Sequence, residues 1–76
     1  MKIEILGTGC PKCEALAKNV ADAVRELGLD AEVAKVTDIV EIADRGVMMT
    51  PALSVDDDIK LVGKVATVEE IKTLLA

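Results

Sequence analysis

The sequence predicts an α/β fold with element order β-α-β-α-β-β-α, a four-stranded mixed sheet and three helices in one domain over residues 1–76. Three observations predict it. Short β-rich runs alternate with segments of helical period. Two apolar runs near the end are separated by a brief acidic turn. The chain closes on a helix-capping signature rather than on a strand.

Lys2 to Leu6 is the first strand, and Gly7-Thr8-Gly9 ends it. From Cys13 to Leu27 the apolar residues Leu16, Val20, Val24 and Leu27 fall at helical steps and share a face. Gly28 follows as a left-handed cap. Ala31 to Val36 alternates and reads as the second strand. Asp38 with Glu41 has the spacing of a reciprocal N-terminal cap for a short second helix, which Gly46 ends.

Pro51 to Val55 and Ile59 to Gly63 are strands joined by Asp56-Asp57-Asp58 as a hairpin. Thr67 and Glu70 form a capping box for a last helix that buries Ile71, Leu74 and Leu75. The first two strands, joined through a helix, are expected to be parallel by a right-handed crossover. The last two are expected to be antiparallel.

Composition narrows the function. The chain has no aromatic residue and a formal net charge of −5. Both features disfavour nucleic acid, which needs stacking platforms or cationic surface. No run approaches the roughly 20 apolar residues of a membrane span. Met1 leads straight into a strand rather than a leader peptide, so the expected location is the cytoplasm, where thiols stay reduced. Nothing in the sequence demands more than a monomer.

Two cysteines three apart then point to redox or metal chemistry. Gly9-Cys10-Pro11-Lys12-Cys13 lies between the first strand and the first helix. A helix N-terminus stabilises a thiolate through unpaired N–H groups and the macrodipole. Pro11 suits the first helical position, and Lys12 adds a positive charge. Cys10 is therefore the candidate attacking thiol. Cys13, one turn further in, is the candidate resolving thiol, closing a disulfide after a mixed disulfide forms. A zinc site would need about four ligands, and the chain has two cysteines and no histidine. No resident metal or cofactor is expected.

A copper(I) carrier is the alternative use of the same two soft sulfurs. Such carriers usually place Met where this chain has Thr8, and they end on a strand. A redox switch without turnover is a third reading. The acidic run Asp56-Asp57-Asp58 lacks the spaced ligands of a calcium loop.

Thr50-Pro51 opens the third strand, where a proline costs one ladder donor and a cis peptide is cheap. With Cys10-Pro11-Lys12-Cys13 and Gly63 after the fourth strand, it resembles the signposts of the thioredoxin fold. Over its whole length the chain resembles the small thioredoxin-like redox-active disulfide proteins. The resemblance implies a minimal thioredoxin fold and a protein disulfide oxidoreductase. Its redox group would be the Cys10–Cys13 disulfide itself. Its partners would be disulfide-containing proteins and an upstream reductase or thiol donor.

The resemblance also implies residue roles. Cys10 matches the attacking thiol and Cys13 the resolving one. Pro51 matches a cis proline facing the disulfide. Thr50 matches the residue whose backbone pairs with an extended substrate. Glu4 stands six residues before Cys10, the spacing of a buried carboxylate that takes a proton from the resolving thiol; a solvated strand position beside Lys2 is the other reading. Met48 and Met49 are either adaptable partner contacts or core filling. The chain departs from standard thioredoxins in having Gly9 before the motif and Pro-Lys within it.

Overall fold

The structure is a computed structural model and describes residues 1–75. Strands β1 (Lys2–Leu6), β2 (Glu32–Val36), β3 (Ala52–Val55) and β4 (Asp58–Val62) form one sheet in the order β2-β1-β3-β4. Helices α1 (Pro11–Leu27), α2 (Ile39–Asp44) and α3 (Val68–Leu75) complete the β-α-β-α-β-β-α order. β1 pairs in parallel with β2 and antiparallel with β3, and β3 pairs antiparallel with β4. No helix among the described residues is long and apolar enough to cross a membrane.

Alternation along the central strands divides the core. Ile3 and Ile5 of β1 and Leu53 of β3 meet Leu16 and Val20 of α1 and Ile71 of α3. The opposite face carries Leu6 and Ala52, covered by Ile42 of α2 and by Val47. Two helices therefore seal one face, and a helix of six residues seals the other. The Asn19 side chain donates to the Ala66 carbonyl at 2.8 Å, tying α1 to the approach to α3.

Several local expectations are refined. Asp38 caps α2 by accepting from the Val40 N–H at 2.9 Å. Glu41 does not return to Asp38; its carboxylate turns to Arg45, one helical turn on, at 3.4 Å. The hairpin is tighter than a three-residue turn, because Asp58 already pairs with Val55. Asp56 and Asp57 both take positive φ, 51° and 69°, which a two-residue primed turn demands and Asp tolerates.

In α3 the buried residues are Ile71 and Leu75, while Leu74 is 37 % exposed. The Thr67–Glu70 box forms as expected. Glu70 N–H donates to Thr67 Oγ1 and Thr67 N–H to a Glu70 carboxylate oxygen, each at 3.2 Å.

Candidate functional site: two thiols at a helix mouth

The site begins where β1 runs out. Gly7 N–H donates to the Val36 carbonyl at 2.9 Å, closing the ladder, and Gly9 turns the chain with φ 89°. Cys10 is the N-cap of α1 with extended backbone, and its side chain makes no capping bond. Pro11 takes the first helical position. Glu14 N–H donates to the Cys10 carbonyl at 3.0 Å, the first bond of the helix.

The two cysteines are free thiols. Their Sγ atoms stand 2.7 Å apart in a hydrogen bond, longer than the roughly 2.05 Å of a disulfide. Their settings differ. Cys10 is half-buried and Cys13 is buried. The Cys13 thiol holds the Cys10 thiol below its ordinary range by hydrogen bonding, and the Cys13 and Lys12 backbone N–H groups act in the same direction. Burial raises Cys13, and its bond to Cys10 raises it further. The outer sulfur is therefore the first of the two to give up its proton, an order suited to a nucleophile with a waiting partner.

Gly7 and Pro51 complete the enclosure. A Cβ on Gly7 would collide with Cys13 Sγ and would lie 3.9 Å from Pro51 Cα. A bare α-carbon thus lets the inner sulfur and the proline share one small space. The Thr50–Pro51 peptide is cis, and Pro51 is fully buried. The Pro51 carbonyl accepts from Gly63 N–H at 2.8 Å. Thr50 is exposed beside it. Met48 is 92 % exposed and Met49 62 % exposed, so neither fills the core. The Met49 side chain rests on Gly63, within 3.2 Å of where a Cβ would stand.

Glu4 is on β1, three residues before Gly7. It is 5 % exposed, so it is no solvated strand position. Alternation turns it to the face covered by α2, whereas its neighbour Ile5 lines a narrow cleft with Gly7, Cys13 and Lys35. Arg45 donates to both Glu4 carboxylate oxygens, at 2.9 and 3.0 Å. That bidentate bond holds the Glu4 carboxyl below its usual range, against the opposing effect of burial. Lys12 is exposed on the first turn of α1. Sequence reasoning singled out the two cysteines and Thr50-Pro51 but missed Gly7 and Arg45. A glycine closing the strand before the cysteine loop was a signal for the first. Arg45 had no local signal, since its partner is 41 residues away.

Two sulfurs of unequal acidity, able to trade a covalent bond with a disulfide, define a thiol–disulfide oxidoreductase. The sequence model of a family described as thioredoxin domain matches residues 1–76. A thioredoxin of Methanothermobacter thermautotrophicus is 47 % identical over 76 residues, covering 100 % of this chain and 99 % of that protein. A thioredoxin of Methanocaldococcus jannaschii is 56 % identical over 70 residues, covering 92 % of this chain and 80 % of that protein. The chain belongs to the thioredoxin family and is a disulfide oxidoreductase. Members of this family work through a redox-active disulfide on disulfide-containing substrates and are recharged by a reductase.

Proposed function

We propose that the chain reduces disulfides of protein substrates in the cytoplasm through Cys10 and Cys13, as a monomer and with no other redox group. The Cys10 thiolate attacks a substrate disulfide, breaking its S–S bond and releasing one substrate thiolate, which takes up a proton. A mixed disulfide joins Cys10 to the remaining substrate sulfur. Cys13 then loses its proton and attacks Cys10 Sγ. A Cys10–Cys13 bond forms, and the second substrate thiolate leaves. Two electrons have passed to the substrate, and a reductase or small thiol returns them.

Thr50 and Pro51 present the edge on which an extended substrate lies, and Lys12 supports the charge on Cys10. The acidic, aromatic-free composition supports protein disulfides over nucleic acid as the target. The observation that carries this reading is the unequal pair: Cys10 outermost and lowered, Cys13 buried and raised, 2.7 Å apart.

The test is a thiolate titration by ultraviolet absorbance joined to two variants. Wild type titrates with a first midpoint below the free-cysteine value of about 8.5. Because the folded value is depressed, reactivity toward iodoacetamide is full above that midpoint and lost as pH falls through it. Cys10→Ser abolishes insulin reduction, and Cys13→Ser accumulates mixed disulfides with substrate. Turnover that survives Cys10→Ser would overturn the assignment.

A further inference from the structure

We infer that Arg45, through its paired bond to Glu4, positions the Met48–Thr50 segment against the two cysteines, making it a positioning residue for disulfide substrates. The inference rests on the reading of Thr50 given above. The pair joins the two stretches of chain that build the site. Glu4 lies in β1, three residues before Gly7, against which Cys13 Sγ packs. Arg45 is the C-cap of α2 and lies five residues before Thr50.

The segment between needs such an anchor. Among the described residues, Met48, Met49 and Thr50 make no backbone hydrogen bond, and all three are exposed. Their position is set from the ends and by the Met49 side chain resting on Gly63. On the far side Pro51 is fixed by Gly63 and by the start of β3. On the near side Gly46 has φ 79° and Val47 N–H donates to the Ile42 carbonyl at 3.3 Å. Gly46 N–H also donates to the Ala43 carbonyl at 2.9 Å, and Val47 is buried in one cluster with Leu6 and Ile42, so Val47 follows the end of α2. The charged fork immediately before them adds a fixed orientation of that helix end relative to β1.

Its geometry suits that task. Two parallel N–H···O bonds fix orientation as well as distance, which a single contact does not. The Glu4 side chain is 6 % exposed and that of Arg45 25 %, so solvent screens the contact far less than a surface pair. Glu41 at 3.4 Å and Asp57 at 4.0 Å flank the guanidinium from α2 and from the hairpin turn. Arg45 thereby gathers β1, α2 and the β3–β4 turn at one point.

The experiment compares Arg45→Met, Arg45→Lys, Glu4→Gln and the Glu4→Gln/Arg45→Met double variant with wild type, each verified as folded by circular dichroism. Two rates are read: insulin reduction driven by dithiothreitol, and alkylation of Cys10 by iodoacetamide, which needs no docked substrate. A displaced segment raises KM for insulin about tenfold in Arg45→Met, since misplacement of roughly an ångström is felt strongly in catalysis. Cys10 alkylation stays within about twofold, as its thiolate is set by Cys13 and the helix. Arg45→Lys keeps the charge but loses the fork, so it shows a raised KM as well.

Glu4→Gln resembles Arg45→Met, and the double variant is no worse than either single one, as expected of two groups acting as a unit. An unchanged KM in folded Arg45→Lys and Arg45→Met, or a matching fall in alkylation, overturns the inference. Cys10→Ser is run alongside. Turnover retained there sinks the role given to Cys10; turnover lost there, with KM unmoved in the Arg45 variants, sinks only the positioning role.

Discussion

Gly7 shows how a single missing atom shapes the chemistry. Its backbone closes the β1–β2 ladder while its α-carbon accepts the buried Cys13 sulfur. A methyl there forces the sulfur outward or the strand aside, so Gly7→Ala is expected to cost about 1–3 kcal/mol, as overpacking does. Urea unfolding of the reduced protein measures it, and iodoacetamide labelling of Cys13 accelerates in step. An unaltered midpoint would mean that the sulfur is free to move aside. The cysteines themselves were legible because their chemistry depends on local placement: a strand end, a proline at the first helical position and a helix. The role of Gly7 was not, because it depends on what leans against it in space.

At the level of elements, β1 and α2 are bound through charge as well as through apolar packing. Glu4 is held ionised by the Arg45 bond, so its folded pKa lies below its unfolded value of about 4.3. A depressed carboxyl stabilises the fold fully above the unfolded value and loses that contribution as pH falls through the folded one. The urea midpoint of wild type is therefore expected to fall more steeply than that of Glu4→Gln below about pH 4. Parallel slopes would show that the pair contributes nothing to acid sensitivity.

Element existence was readable from periodicity, and the Thr67–Glu70 box appears as spaced. The box at Asp38 did not form, because Glu41 had Arg45 within reach one turn along. The hairpin lost a residue because two aspartates adopt left-handed backbone and Asp58 joins the ladder. In each case a second partner or backbone state was available that spacing alone does not register. Leu74 fits the helical face by count, yet α3 offers its neighbours Ile71 and Leu75 to the core instead.

Taken whole, the molecule places its reactive parts on the two middle strands and uses the edges as support. β1 leads into the cysteine loop and Pro51 leads into β3, and these two strands are hydrogen-bonded neighbours with Leu6 opposite Ala52. The parallel first pair and the antiparallel last pair were legible in the sequence, whereas the pairing of β1 with β3 that joins them was not. The charges that join across the sheet were not legible, since residues 41 apart carry no shared pattern. Glu4 illustrates the difference: counting back from Cys10 selected it, while strand alternation sends it to the face away from α1 and gives Ile5 the place beside Cys13.

Helix α1 also separates two ends of the molecule. Its 17 residues run from the thiols to the Gly28 cap, a rise of about 26 Å at 1.5 Å per residue. Asp30, exposed just past that cap, is therefore a natural tethering point. A fluorophore or surface linker attached through Asp30→Cys in a chain whose reactive pair is kept oxidised during coupling should leave insulin turnover at its free-solution rate. A bead-bound reductant built this way would present its sulfurs outward.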